Sequence, residues 1–249
     1  MHQVDYNKNF FMEKVTTILT VYKRAKYLNE QIKAIENQSL KSNILIHWNS
    51  KNLPQENMHY PMYIYKNFNS KNALFNRFYS SLSLNSEYIF ICDDDIVPGN
   101  DYLRRGINFL KSNDNKALLG VYGMIFRPGE TRYNVHERIG AVHNNFPKKP
   151  RKVHMVGQGY LFHKSILHLF AGHEKLSTKS NEDICLGYIM YLNKLPIYVL
   201  DVNDNIQSYP DITKGIRGSD DNALWKTQEH KISRDKLIKK LTDLGWKFN

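Results

Sequence analysis

The 249-residue sequence has only two cysteines, Cys92 and Cys185. Each lies in an apolar stretch beside acidic residues with no partner at metal-ligand spacing, which argues against a disulfide framework and a zinc finger. Long hydrophobic runs are also missing. A membrane span needs roughly 20 apolar residues, whereas the longest runs, around Ile18 and Ile89, are a few residues long and read as strands. The opening MHQVDYNKNFFMEK places acidic and polar residues where a signal peptide has its apolar centre. The expectation is an uncleaved cytoplasmic protein, soluble or in peripheral contact with a membrane. Acid is in short supply: 24 Asp+Glu stand against 35 Lys+Arg, a net charge of +11. That balance favours polyanions, phosphorylated ligands or an acidic membrane surface. The basic residues are scattered and no nucleic-acid module is recognisable, so no nucleic-acid partner is expected. A non-catalytic basic phosphate- or nucleic-acid-binding module stands as the alternative of another class.

What is present is a chain with 41% hydrophobic residues, enough for a packed core. VTTILTVYKR from Val15 reads as a strand, and the helix after it places Leu28, Ile32 and Ile35 on one face. NILIHWNS, ending at Asn49, and PMYIYKN read as two more strands, NALFNRFYSSLSL as a helix, and EYIFIC as a buried strand that stops in three carboxylates. Further on, DYLRRGINFLK is a helix and ALLGVYGMIFR a strand, while Gly129 to Arg151 has weak periodicity and reads as a functional loop or an excursion. VHMVGQGYLFHKSILHLF reads as strand, turn and helix, NEDICLGYIMYLNKL as a helix and LPIYVLDV as a strand. The tail forms an amphipathic helix on Ile232, Leu237, Ile238 and Leu241. Alternation of this kind predicts a single α/β domain with a mixed, mostly parallel central sheet and helices on both faces.

Ligands of open α/β sheets bind beyond the carboxyl ends of the strands. Thr20 to Arg24, Asn49 and Asp93-Asp94-Asp95 sit at such ends. Three adjacent carboxylates repel one another and need cations nearby, and their hard oxygens suit magnesium or manganese shared with a diphosphate. A solvated acidic turn is the competing reading. Asn181-Glu182-Asp183 opens a helix, where acidic residues also favour the dipole, so capping competes with a catalytic carboxylate. His230 and Arg234, four apart, share a helix face. From the residues alone they, like Arg24 and Arg77, read as solvated basic side chains, and a role on a diphosphate is the weaker reading.

TVYKR, HWN, N-A-L-F-N-R, CDDD, VGQGYLF, NEDICL and EHKISR together resemble, in this order, a GT-A (Rossmann-like) glycosyltransferase, most closely the exostosin-like α-N-acetylhexosaminyltransferase domain. The resemblance covers the chain from about Val15, with Asn72 five residues before Arg77 and Arg77 sixteen before Asp93. It implies an N-terminal extension over 1–14, a nucleotide-binding half over 15–95 and an acceptor-binding half over 96–249 that includes the terminal helix. It also implies a UDP-sugar as donor, with Thr20, Arg24 and Asn49 around the uracil and ribose. Asn72 and Arg77 would support nucleotide and sugar, and Asp93 and Asp94 would contact ribose and sugar. Asp95, with Asp93, would bind Mn2+ or Mg2+. Asn181 would face the sugar, Asp183 would be the catalytic carboxylate with Glu182 beside it, and His230 and Arg234 would meet the diphosphate. Where the family often carries two aspartates, this chain has Glu182-Asp183.

The implied reaction moves a hexose or N-acetylhexosamine from the UDP-sugar to a hydroxyl of a glycan or glycolipid acceptor, with retention of configuration. An inverting reaction with Asp183 as general base is the alternative. Lys148, Lys149, Arg151 and Lys152 form a basic stretch open to an anionic acceptor or to solvent.

Overall fold

The computed structural model describes residues 14–22, 25–48, 63–66, 73–140, 145–170, 176, 181–201 and 227–249. Arg24, Asn49 and Asn72 lie outside these residues.

One nine-stranded sheet runs through the described chain in the order β3-β2-β1-β4-β8-β5-β9-β7, with β6 paired to β5. Its first half is parallel: β1 (Val15–Val21) lies between β2 (Asn43–Trp48) and β4 (Tyr88–Cys92), and β3 (Tyr63–Lys66) flanks β2. All of β1 and β4 is buried, which is why they read as near-continuous apolar runs. The second half is mainly antiparallel. β8 (Met155–His163) pairs antiparallel with both β4 and β5 (Leu118–Phe126), and β5 pairs antiparallel with β6 (Val135–Gly140) and parallel with β9 (Ile197–Val199). β7 (Arg151–Val153) closes the edge against β9. The sheet is therefore mixed, with its parallel character confined to β1–β4 and the β5·β9 pair.

Strand residues of alternate parity feed two apolar layers. Leu19, Phe90 and Leu119 pack with α1 (Leu28–Glu36) and α3 (Tyr102–Ser112) on one face. Ile18, Ile91 and Phe162 pack with Phe78 of α2 (Ala73–Ser80) and with Leu186 and Ile189 of α4 (Glu182–Leu192) on the other. A third cluster joins Met124, Phe126 and Ile184 to Leu237, Ile238 and Leu241 of α5 (Gln228–Asp243) and to Trp246 and Phe248.

Four expectations are corrected. The irregular stretch from Gly129 to Arg151 contains β6 and begins β7. The GQG expected as a turn lies inside β8, because ladders on both sides hold it. The expected helix after it is a 3-10 helix over Lys164–Phe170. In α5 Ile232 is 44% exposed, and the inward stripe is Arg234, Leu237, Ile238 and Leu241. Among the described residues no helix is long and apolar enough to cross a membrane.

Candidate active site

The acidic triplet leaves the sheet directly after β4, and four hydrogen bonds fix that exit. The Asp93 N–H donates to the Gln158 carbonyl of β8 at 3.0 Å. Gln31, on the buried face of α1, donates from Nε2 to the carbonyls of Asp93 at 2.6 Å and Ile96 at 2.7 Å. Ile96 N–H closes the turn on Asp93 O at 3.2 Å. Asp94 and Asp95 are buried, at 7% and 8% exposure, so the triplet is not a solvated turn.

Arg77 of α2 reaches this point from the other face. It is 1% exposed, and its guanidinium pairs with Asp93 Oδ1, donates to Glu182 Oε1 at 2.8 Å and approaches Thr20 Oγ1 at 3.4 Å. The Tyr160 ring lies 5.1 Å from Arg77 Cζ, and the Tyr160 hydroxyl donates to the same Glu182 oxygen at 3.3 Å. One guanidinium thus serves two carboxylates. Burial pushes the Glu182 carboxyl up to about 7, with Arg77 opposing and the neighbouring Asp183 and Asp93 reinforcing. Burial likewise raises Asp93 despite Arg77. Burial works against the charge on Arg77, but Asp93 and Glu182 outweigh it and hold the guanidinium protonated.

Glu182 and Asp183 are adjacent in sequence but engage different arginines. Both Asp183 oxygens accept from Arg234 of α5, at 3.0 and 2.7 Å, in the bidentate geometry that suits guanidinium and carboxylate. Asp183 Oδ1 also accepts from Ile184 N–H at 2.8 Å. Arg234 lies over the Tyr133 ring, 4.1 Å from its centroid, and the Tyr133 N–H is anchored by Asp235 Oδ1 at 2.8 Å. Asn181 donates to Ser233 Oγ at 3.2 Å, leaving its buried Oδ1 without a partner among the described residues. His230, in the first turn of α5, is shifted toward the neutral form by burial and by Arg234, with Asp183 opposing.

A continuous polar line therefore runs Asp93, Arg77, Glu182, Asp183, Arg234. It brings Thr20, Arg77, Asp93, Glu182, Asp183 and Arg234 together, with Asn181 joined through Ser233. At the start of α4 Asn181 makes no side-chain cap; Asp183 accepts from the Ile184 N–H while also pairing with Arg234, and Glu182 pairs with Arg77, so the acidic pair does more than cap the helix. Arg77, expected to support nucleotide and sugar, directs its Nη atoms to protein oxygens: Asp93 Oδ1, Glu182 Oε1 and, at 3.4 Å, Thr20 Oγ1. Asp93, expected as a second metal ligand, gives Oδ1 to Arg77. Arg151 and Lys152 lie on β7, where exposed Arg151 sits 3.4 Å from Glu137.

The site also includes residues the sequence reading missed: Gln31, Tyr133, Gln158 and Tyr160. Gln31 had a signal, a polar residue on the apolar face of α1 beside Leu28, Ile32 and Ile35. Arg234 had a similar one, because 234, 237, 238 and 241 form a single stripe. Tyr133 had none.

Two crystal structures of TarS from S. aureus, one of residues 1-349 and one longer, are similar to this chain, each at 15% identity with a TM-score of 0.52 over 76% of it. The match covers 58% of the first and 35% of the second, so the chain spans less than two thirds of either, and at this identity the likeness is one of fold. Among curated proteins none matches the sequence. The glycosyl transferase family 64 domain matches residues 15–245, and the chain belongs to that family.

Proposed function

We propose that this glycosyltransferase moves a hexose or N-acetylhexosamine from a UDP-sugar to a hydroxyl of a glycan or glycolipid, with retention of configuration, in the manner of the exostosin-like enzymes it resembles. The observation that carries this reading is the polar line from Asp93 through Arg77 and Glu182 to the Asp183–Arg234 pair, which joins the triplet to an acidic helix and a buried cation.

In this reading Thr20, with Arg24, Asn49 and Asn72, lies on the nucleotide side, and Asp93 and Asp94 meet ribose and sugar. Arg77 acts through Asp93 and Glu182 by holding them in register. Arg234 and His230 face the diphosphate, and Arg234 stabilises the charge that develops as it leaves. Both Asp183 oxygens are engaged by Arg234, which suits a carboxylate that steadies positive charge on the sugar better than one that takes a proton from the acceptor. That favours retention over the inverting alternative.

The donor set fits a divalent metal that is shared with substrate. No three His, Cys, Asp or Glu side chains among the described residues are grouped to hold a metal by themselves. Asp95, assisted by Asp93, would hold Mn2+ or Mg2+. Bound there, the cation supplies Lewis-acid charge to the leaving diphosphate. A cytoplasmic location with peripheral membrane contact belongs to the same reading.

Turnover of UDP-glucose, UDP-galactose and their N-acetylated counterparts, with Mn2+ and with chelator, tests the reading. One donor is expected to turn over with metal only, and Asp95→Ala to abolish that turnover while melting normally. An inverted anomer in the product spectrum rejects retention. No turnover of any donor, together with salt-sensitive binding to DNA or RNA that ignores Asp95, replaces the enzyme reading with a basic binding module.

A further inference from the structure

Gln158 stands apart from the other non-glycine residues of positive φ. Asp114, Asn115 and Lys194 occupy turns just beyond the ends of α3 and α4, whereas Gln158, at φ 65°, lies inside β8. Glutamine seldom adopts the left-handed region, and Gly157 and Gly159 beside it show that glycine, which adopts it freely, is used on either side. Opposite this point the β5·β8 register shifts between Gly120 and Tyr122. The distortion is coupled to the acidic triplet, because the Gln158 carbonyl receives the Asp93 N–H.

The backbone role needs only the carbonyl, which every residue type has. The side chain therefore requires its own explanation. Its Oε1 is buried and has no partner among the described residues. A buried amide end without a partner costs free energy that a well-placed ligand recovers. Retained strain at such a position is a mark of a functional site.

We propose that Gln158 contacts the transferred sugar, its amide hydrogen-bonding a hydroxyl or acetamido group of the hexosyl unit; this rests on the glycosyl-transfer reading above. The chemistry favours sugar over diphosphate. An amide oxygen repels phosphate oxygens but accepts from O–H and N–H donors. That oxygen can accept from a sugar hydroxyl or from an acetamido N–H. In that reading the diphosphate already has a cation in Arg234.

The test uses Gln158→Gly, which suits the φ and keeps the carbonyl, and Gln158→Met, which keeps side-chain length and strain but removes the amide. Each is measured for melting temperature, UDP affinity and kcat/KM with whichever of UDP-glucose, UDP-galactose or their N-acetylated counterparts the unmodified protein turns over. Both variants are expected to lose roughly 10- to 100-fold in kcat/KM, with UDP affinity within about twofold and Gln158→Gly melting no lower than the parent. Activity within about twofold of the parent in Gln158→Met overturns the proposal. So does loss of UDP affinity in parallel with activity in both variants, which would assign Gln158 to holding the triplet. Failure of the transfer reading itself is separately visible, as absence of turnover in the unmodified protein.

Discussion

At the level of single residues the site is held by arginines placed where arginine is rarely found. Arg77 offsets one buried carboxylate, Glu182, and one partly buried, Asp93, and removing one partner of such a group strands the others where water solvates them poorly. Arg77→Met is expected to cost about 3–5 kcal/mol in urea unfolding, and Glu182→Gln in that background to recover part of it, since only Asp93 then remains without its guanidinium. Equal stability of single and double variants would show that Glu182 does not depend on Arg77. His47 supplies a pH effect of definite sign. It is buried in β2, and burial, with the charge of Arg77 added, lowers its pKa to about 4 from 6.5. The folded protein therefore holds it neutral, so its contribution is complete above 6.5 and is lost as pH falls through 4. The drop amounts to ~3 kcal/mol. Urea midpoints compared between pH 7.5 and 4.5 are expected to fall further for the parent than for His47→Gln.

At the level of elements, the segment before β6 docks on α5. Asp235 holds the Tyr133 backbone, and the Tyr133 ring lies over Arg234 while its hydroxyl meets Met124 Sδ at 3.0 Å. A stacked ring contributes on the order of 0.5–2 kcal/mol to a partly desolvated guanidinium. Tyr133→Ala is expected to lower kcat about tenfold with a smaller change in KM, and Tyr133→Phe to retain most activity. An equal loss in both variants would place the effect in the hydroxyl. Nothing in the sequence foretold this contact, whereas other elements were legible for definite reasons. β1 and β4 are buried on both faces, so their β-branched runs read as strands without ambiguity. β6 pairs only with β5 among the described strands, and VHERIG is largely half-exposed, so little apolar contrast marks it. In β8 the glycines around Gln158 suggested a turn, but Gly157 pairs with Tyr122 and Gly159 with Cys92, and those ladders override local preference. The acidic triplet and the acidic helix start were legible as chemistry. Their connection through Arg77 was not, because it joins α2, β4 and α4 across 105 residues of separation.

At the level of the whole molecule, the candidate site is completed by α5, which carries Arg234, so its geometry depends on how that helix is held. Phe248 stacks on Phe126 with ring centroids 4.6 Å apart, and Trp246 packs against Phe248 at 4.8 Å and Tyr188 at 5.9 Å. Gly187 makes this closeness possible: a Cβ there would lie 2.8 Å from the His154 carbonyl and 3.1 Å from the Trp246 ring. Arg234 is carried by the helix that this aromatic cluster fastens down, while β1 and β4 are cored by different residues. Phe248→Ala removes a buried ring at a cost of roughly 3–5 kcal/mol, a large share of the 5–15 kcal/mol that stabilises a typical domain. Because the loss is local to the third cluster, α5 is expected to open as a unit before the sheet does. Hydrogen exchange then shows α5 amides of Phe248→Ala losing protection well ahead of those in β1 and β4, and transfer activity falls at temperatures where the sheet is still intact. If α5 and β4 amides instead lose protection together, the helix is not a separable unit, and weakened activity in that variant reports global unfolding and says nothing of how Arg234 is positioned.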